Sequence, residues 1–300
     1  MLIKKLFAFQ STVPAPLKGI SLALISTALF VLSGMLVRLL SATIDTFEIL
    51  LFRQIVFIIV LLPAIKKNIE VLRKPKKIKL HTLRIFSAFV SLYFGFVTVS
   101  NLPFADAQAL GFLQVLFVAL ISRTFLSERM TPSRVLTILI GFVGVMLIVQ
   151  PELDNIASPF ILTGAISALG AAIAVVCVRK VATTEPKITL LAYQALFVGF
   201  ITLAPAIYNW KWPTWSELNL LILVGLLSSV GQWIGVTAYK FTEANIVANV
   251  QYVSILYSLV LGFFIFAEIP NDLVIIGAIV LLSSALIPLL YTHIKATATN

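Results

Sequence analysis

The sequence predicts an all-α polytopic membrane protein, with ten transmembrane helices arranged as two inverted five-helix repeats. Three observations carry this. Apolar runs of about 20 residues recur from one end of the chain to the other, each long enough to cross a hydrocarbon core ~30 Å thick. Lysines and arginines crowd onto alternate connections between the runs. The two halves of the chain also echo each other in the order of their features. With 60% hydrophobic and 11% charged residues, the chain lacks the charge a soluble domain of this length needs. A β-barrel is excluded because its strands alternate over short stretches, and these runs do not alternate.

The spans fall at about 18–38, 46–65, 82–100, 105–125, 133–150, 158–179, 188–208, 217–239, 244–267 and 272–292. Lys4 and Lys5 before the first run resemble a signal peptide. That run is too long for a signal core and lacks a small-x-small cleavage site, so it reads as a retained first helix. Turn chemistry marks the later breaks: Asn101-Leu102-Pro103, Thr131-Pro132-Ser133, Asn209 to Pro213, and Ile269-Pro270-Asn271-Asp272. The connections are mostly short, which makes consecutive helices neighbours.

Orientation follows from the basic residues. With the amino end cytoplasmic and ten crossings, nineteen of the 22 Lys and Arg lie on the cytoplasmic side. Only Arg38 and Lys211 lie outside, and Arg53 is within a span. This positive-inside bias places both termini in the cytoplasm. It reads the net charge of +10, and the stretch KKNIEVLRKPKKIKLHTLR, as topology anchors near anionic lipid heads, with no nucleic-acid partner.

The chain divides into 1–157 and 158–300, five spans each. Phe104-Ala105-Asp106-Ala107 is echoed by Phe241-Thr242-Glu243-Ala244. Each passage continues into a long span, an aromatic-rich end, a glutamate (Glu128 or Glu268), a short turn and a final span with an early glycine (Gly141 or Gly277). Five spans is odd, so the second half enters the membrane upside down. Inverted repeats of this kind are a design of secondary transporters, with the solute site between the halves near the midplane.

At this point the residues resemble the EamA branch of the drug/metabolite transporter superfamily over the whole chain. The features are FEILLFRQIVFIIVLLP in the second span, LSER after the fourth, GFVGVMLIVQP in the fifth and FIFAEIPND before the tenth. Phe47-Glu48, Phe52-Arg53 and Leu61-Leu62-Pro63 are similar to the subgroup of S-adenosylmethionine uptake carriers. The resemblance implies a ten-helix carrier of a small polar metabolite, its cavity lined by helices 1, 3, 4, 6, 8 and 9. Family members often carry a proline thirteen residues before each span-ending glutamate. Here Val115 and Ile255 occupy those positions, after Gln114 and Ser254, which puts any hinge role of that proline in doubt.

Arg53 is the first candidate site residue. It lies about six residues inside its helix, ~9 Å below the outer boundary. Glu48, which belongs to the outer interface, is five residues away and so ~140° round the helix, on a different face. Arg53 therefore needs another helix, cavity water or an anionic solute. A tie to a backbone carbonyl or to Asp106 and a role in binding a carboxylate both stay open. Gln108 and Gln114 in span four, Gln251, Tyr252 and Tyr257 in span nine, Gln232 and Trp233 in span eight, and Tyr93 in span three are the other substrate-binding candidates. Buried amides and phenols need partners, which are other helices or a polar solute. Trp233 reads equally as packing. Asp106 and Glu243 suit helix N-termini. Glu128 and Glu268 read as charges at span ends. Trp210, Trp212 and Trp215 form an interfacial belt.

Secondary transport of a small metabolite, for example an amino acid or S-adenosylmethionine, is the leading function. Export of amino acids or drugs is the alternative, as is a non-transporting subunit or channel. No P-loop is present, so no ATP is used directly, and no cofactor is expected. Neither the two histidines nor the single Cys177 supports a metal site or an internal disulfide, and no clustered His, Asp or Cys supports an enzyme. The expected location is the inner membrane, with a monomer compatible and the oligomeric state open.

Overall fold

The structure is a computed structural model that describes residues 15–125, 132–150, 159–181, 184–238, 241 and 250–297. The regular elements among the described residues are all helices. The helices are α1 (Ala15–Leu40), α2 (Thr46–Lys67), α3 (Ile69–Leu72), α4 (Ile78–Asn101), α5 (Phe104–Gly111) and α6 (Leu113–Phe125). They continue as α7 (Pro132–Val149), α8 (Pro159–Val181), α9 (Lys187–Tyr208), α10 (Trp215–Ala238), α11 (Ser254–Phe266) and α12 (Asp272–Thr297). Seven stretches of the described residues are long and apolar enough to cross a membrane, and three shorter apolar helices accompany them.

Local chemistry sets several boundaries. The Asp45 side chain accepts the Phe47 N–H at 2.8 Å and caps α2, whose last turn carries Lys66 and Lys67. Leu102 precedes a proline and is extended (φ −111°, ψ 160°), which ends α4 and leaves Pro103 to start α5. Two features differ from the sequence expectation. The four-residue α3 interrupts the basic connection after α2. The fourth span is two helices, α5 and α6, joined at Phe112 through i to i+3 bonds from Phe112 N to Ala109 O (3.0 Å) and from Val115 N to Phe112 O (2.9 Å). Gly111, which carries no side chain to hold the α-helical register, ends the first piece.

Packing joins the two halves more than it joins neighbours in sequence. The most extensive helix pairs are α4 with α8, α7 with α12, α1 with α10, and α2 with α9. In span numbers these are three with six, five with ten, one with eight, and two with seven. Exchanging the halves maps each pairing onto itself or onto another in the set, so the fold has an internal two-fold relation. The matched interfaces use matched chemistry. Ser26 donates to the Gly231 carbonyl at 2.7 Å and Ser33 pairs with Ser228 at 2.8 Å between α1 and α10. Ser167 donates to the Ser91 carbonyl at 2.8 Å and Thr98 pairs with Thr163 at 2.9 Å between α4 and α8. Between α7 and α12, a β-carbon at Gly277 would lie 2.9 Å from the Gly144 carbonyl oxygen. One at Gly144 would lie 3.0 Å from that of Gly277, so the two backbones touch. Small residues let helices approach closely where lipid gives no hydrophobic drive to associate.

Candidate functional site

The helix ends form two sets of polar contacts, one at each end of the bundle. At the first end Arg38 of α1 forms an ion pair with Glu268, just past α11. The other oxygen of Glu268 accepts the Phe104 N–H at the start of α5 at 2.8 Å. The Arg38 guanidinium also lies 4.2 Å from the centre of the Phe266 ring, over its face. Backbone geometry aims Glu268. Ala267 leaves α11 in the left-handed region (φ 54°), and the Glu268 N–H returns to the Gly262 carbonyl at 3.0 Å. Gly262 keeps this turn open, because a β-carbon there would lie 3.0 Å from the glutamate oxygen. This cluster ties α1 and α5 of the first half to α11 of the second. Beneath it Leu36, Val37, Leu40, Ile49, Phe104, Leu221 and Val224 form a buried apolar plug.

The same end carries Lys211, whose N–H reaches Glu48 at 3.3 Å and whose ammonium reaches the Thr43 carbonyl at 3.0 Å. Glu48 is fully buried, at 0% exposure, where the sequence reading placed it at an interface. The connection carrying Lys211, between α9 and α10, covers it.

At the opposite end Glu185 accepts the Lys76 and Lys77 N–H groups at 2.8 and 3.2 Å and lies 3.1 Å from His81 Nε2. Burial pushes the Glu185 carboxyl up, but the adjacent His81 ring and hydrogen bonds from the two amides outweigh it and hold the carboxyl below its ordinary value. Arg84 is buried beside them. It donates to the Leu190 carbonyl and to the Gln194 side chain, both at 2.8 Å, and clamps α4 to α9. The Tyr193 hydroxyl donates to the Leu72 carbonyl. The sequence reading counted Arg84 among the basic residues of the cytoplasmic side. Its role depends on which helix lies opposite, which spacing does not reveal.

Between the ends lies Arg53, 5% exposed. Among the described residues it has no hydrogen-bond or ion-pair partner, and its Nη1 is buried without one. Neither Glu48 nor Asp106 meets it. Asp106 instead interacts electrostatically with Glu268 and Arg38. Next to Arg53, Gln54 is fully buried against Gly199 of α9, with both amide atoms unpartnered. Gln54 was visible in the sequence as a polar residue inside a span but was absent from the candidate site residues.

The other candidates separate. Gln108 is half-buried, its amide nitrogen 3.7 Å from where a Gly34 β-carbon would lie. Gln114, Gln232 and Tyr257 are half-buried, and Tyr257 packs against the apolar plug. Tyr93 stacks on Phe47, with centroids 4.4 Å apart, within an aromatic group that includes Phe89 and Phe94. Tyr252 is buried in the core and stacked on Phe112. Gln251 and Trp233 are exposed, Trp233 by 54%. Glu128 and Glu243 lie outside the described residues. The described residues include no group of three or more His, Cys, Asp or Glu placed to hold a metal ion.

A repeated, two-fold bundle has polar contacts at both ends and, between them, an arginine with no partner among the described residues, an arrangement suited to passing a polar solute. The EamA-like transporter family matches residues 17–150 and again 158–290. The chain belongs to the EamA-like transporter family. It is therefore a multi-pass membrane protein that transports a small molecule. Among similar proteins, an S-adenosylmethionine uptake transporter of Rickettsia bellii is 26% identical, aligned over 93% of this chain and 95% of that one. A pseudopaline exporter of Pseudomonas aeruginosa is 27% identical over 88% and 93%. A riboflavin transporter of Vibrio cholerae is 24% identical over 79% and 80%. One crystal structure of a protein 18% identical superposes with a TM-score of 0.65 over 91% of this chain and 96% of that chain, which shows the shared fold. The family points away from an enzyme.

Proposed function

We propose that this EamA-family transporter is a secondary carrier that moves a carboxylate-bearing polar metabolite across the inner membrane by alternating access. An amino acid or S-adenosylmethionine is the cargo type. The chain crosses ten times as two inverted repeats, 1–157 and 158–300, with both termini cytoplasmic. The Arg38–Glu268 cluster then faces outside and the Glu185–Arg84 cluster faces the cytoplasm, as the bias of basic residues requires. Each cluster joins the halves, so each acts as a gate that opens in turn.

The observation that carries this reading is Arg53. Its guanidinium is buried with no partner among the described residues, which is costly, and an anionic cargo supplies the missing charge. Gln54, Gln108, Gln114, Tyr93, Gln232 and Tyr257 supply neutral donors and acceptors along the path. S-adenosylmethionine, an amino acid, carries a carboxylate that fits this role, and the similarity to S-adenosylmethionine uptake transporters supports it. A second reading, export, is favoured by the pseudopaline exporter among the relatives.

Counterflow in proteoliposomes tests the proposal. Vesicles preloaded with S-adenosylmethionine or methionine are expected to accumulate labelled solute in a saturable way. Flux that rises linearly with concentration and shows no counterflow would identify a channel instead. Comparing right-side-out with inverted membrane vesicles separates uptake from export.

A further inference from the structure

The gate at the Arg38 end borders a cavity of about 390 Å³ between the start of α5, the end of α7, the end of α11 and the start of α12. Two carboxylates, Asp106 and Glu268, line one part of it. Gln150 and Asn271 close another part through a reciprocal pair of amide hydrogen bonds, 2.9 and 3.1 Å. Leu259 and Val274 contribute apolar wall. Among the described residues no Lys or Arg lines it.

The two carboxylates are not equivalent. Both oxygens of Glu268 are engaged, one by Arg38 and one by the Phe104 N–H. Asp106 accepts no hydrogen bond among the described residues, although it is half-buried and lines the cavity. Desolvated carboxylates gain from a cation that reaches them. The surroundings reinforce the sign. The described ionisable residues at this end are Asp45, Glu48, Asp106, Glu217, Glu268 and Asp272, against Arg38 and Lys211. Such an excess of negative charge concentrates cations at the mouth of the cleft. The volume falls within the range of small-molecule sites.

We propose that this cavity is a binding site for a small organic cation, an ammonium or sulfonium group on an apolar body. The charge sits against Asp106 and the body against Leu259 and Val274. This site is separate from the carboxylate site at Arg53, and its occupation does not require that reading to hold.

The probes are butyltrimethylammonium, a permanent cation with a short apolar chain, and hexanoate as the anion. Each is titrated calorimetrically into the full-length protein in nanodiscs. Butyltrimethylammonium is expected to bind, and Asp106→Asn to weaken it about tenfold. Leu259→Trp, which fills the cavity, is expected to abolish binding, and Arg53→Gln to leave it unchanged. Hexanoate is expected to lose affinity only in Arg53→Gln, so failure of the carboxylate site and failure of the cation site are read separately. If either cavity variant is not monodisperse, Asp106→Ala and Val274→Trp replace them. The proposal is overturned if the cation does not bind the wild-type protein. It is equally overturned if binding survives either the loss of the charge or the filling of the cavity.

Discussion

Phe112 and Tyr252 stack face to face, with ring centroids 4.8 Å apart and planes 3° from parallel. They occupy matching places in the two halves, each sixteen residues before the glutamate that closes its segment, Glu128 or Glu268. At both places the helix is interrupted. Val253 N bonds to Val250 O at 3.0 Å and Leu256 N to Val253 O at 3.0 Å, an i to i+3 pattern like that around Phe112. The two interruptions therefore meet on the axis that relates the halves. Tyr252→Phe keeps the stack and loses only the hydroxyl, so it is expected to cost at most about 1 kcal/mol. Tyr252→Ala loses the ring as well and is expected to cost about 3–5 kcal/mol. Reversible unfolding in mixed micelles measures both. Equal losses in the two variants would mean the stack contributes nothing.

This junction marks how far the sequence could be read. The helix boundaries were legible because a span is a local property. The run expected at about 46–65 is α2, Thr46–Lys67, and that expected at about 188–208 is α9, Lys187–Tyr208. The break in the fourth span was not legible. Neither Val115 nor Ile255 is a proline, yet both helices carry i to i+3 bonds around the stacked Phe112 and Tyr252, three residues earlier, a pairing across the halves that spacing does not reveal. Arg53 was visible as a charge with no partner on its own helix. The Arg38–Glu268 and Glu185–His81 contacts were not visible, because they join residues more than 100 positions apart that spacing cannot bring together.

Arg53→Ala separates cargo binding from structure. An arginine held by a protein partner would leave an uncompensated group behind when removed, costing about 3–5 kcal/mol. Arg53 has no such partner among the described residues, so its removal takes away a buried charge. The variant is expected to unfold at the wild-type temperature or above it, while counterflow falls at least about tenfold. A large drop in melting temperature would give Arg53 a structural role.

Arg38 and Glu268 form a testable gate. Their side chains are 19% and 24% exposed, so the pair is partly sheltered from water. A double-mutant cycle with Arg38→Gln and Glu268→Gln is expected to give a coupling of about 1–2 kcal/mol, above that of an exposed pair. The single variants shift the population towards the state open at this end. A cysteine at Ser258, in a Cys177→Ser background, is then labelled faster by an impermeant maleimide than in the intact gate. Unchanged labelling would mean that the pair does not control access.

Glu185 sets the pH response of the opposite end. Against the upward pull of burial, its carboxyl is held below the ordinary value of 4.5 by the adjacent His81 ring and by bonds from the Lys76 and Lys77 amides. A depressed carboxyl pKa stabilises the folded state fully above the unfolded value. That contribution is lost as pH falls through the lower, folded value, because both states then bind the proton. Glu185→Gln mimics the protonated group. It is expected to melt below the wild-type temperature at pH 7, and the two proteins are expected to converge as pH drops below 4.5. Arg84, at the same end, makes its bonds to a carbonyl and an amide that do not titrate, so Arg84→Gln is expected to destabilise by a similar amount across the same range. A Glu185→Gln deficit that stays constant down to acid pH would show that the carboxylate charge adds nothing beyond its shape.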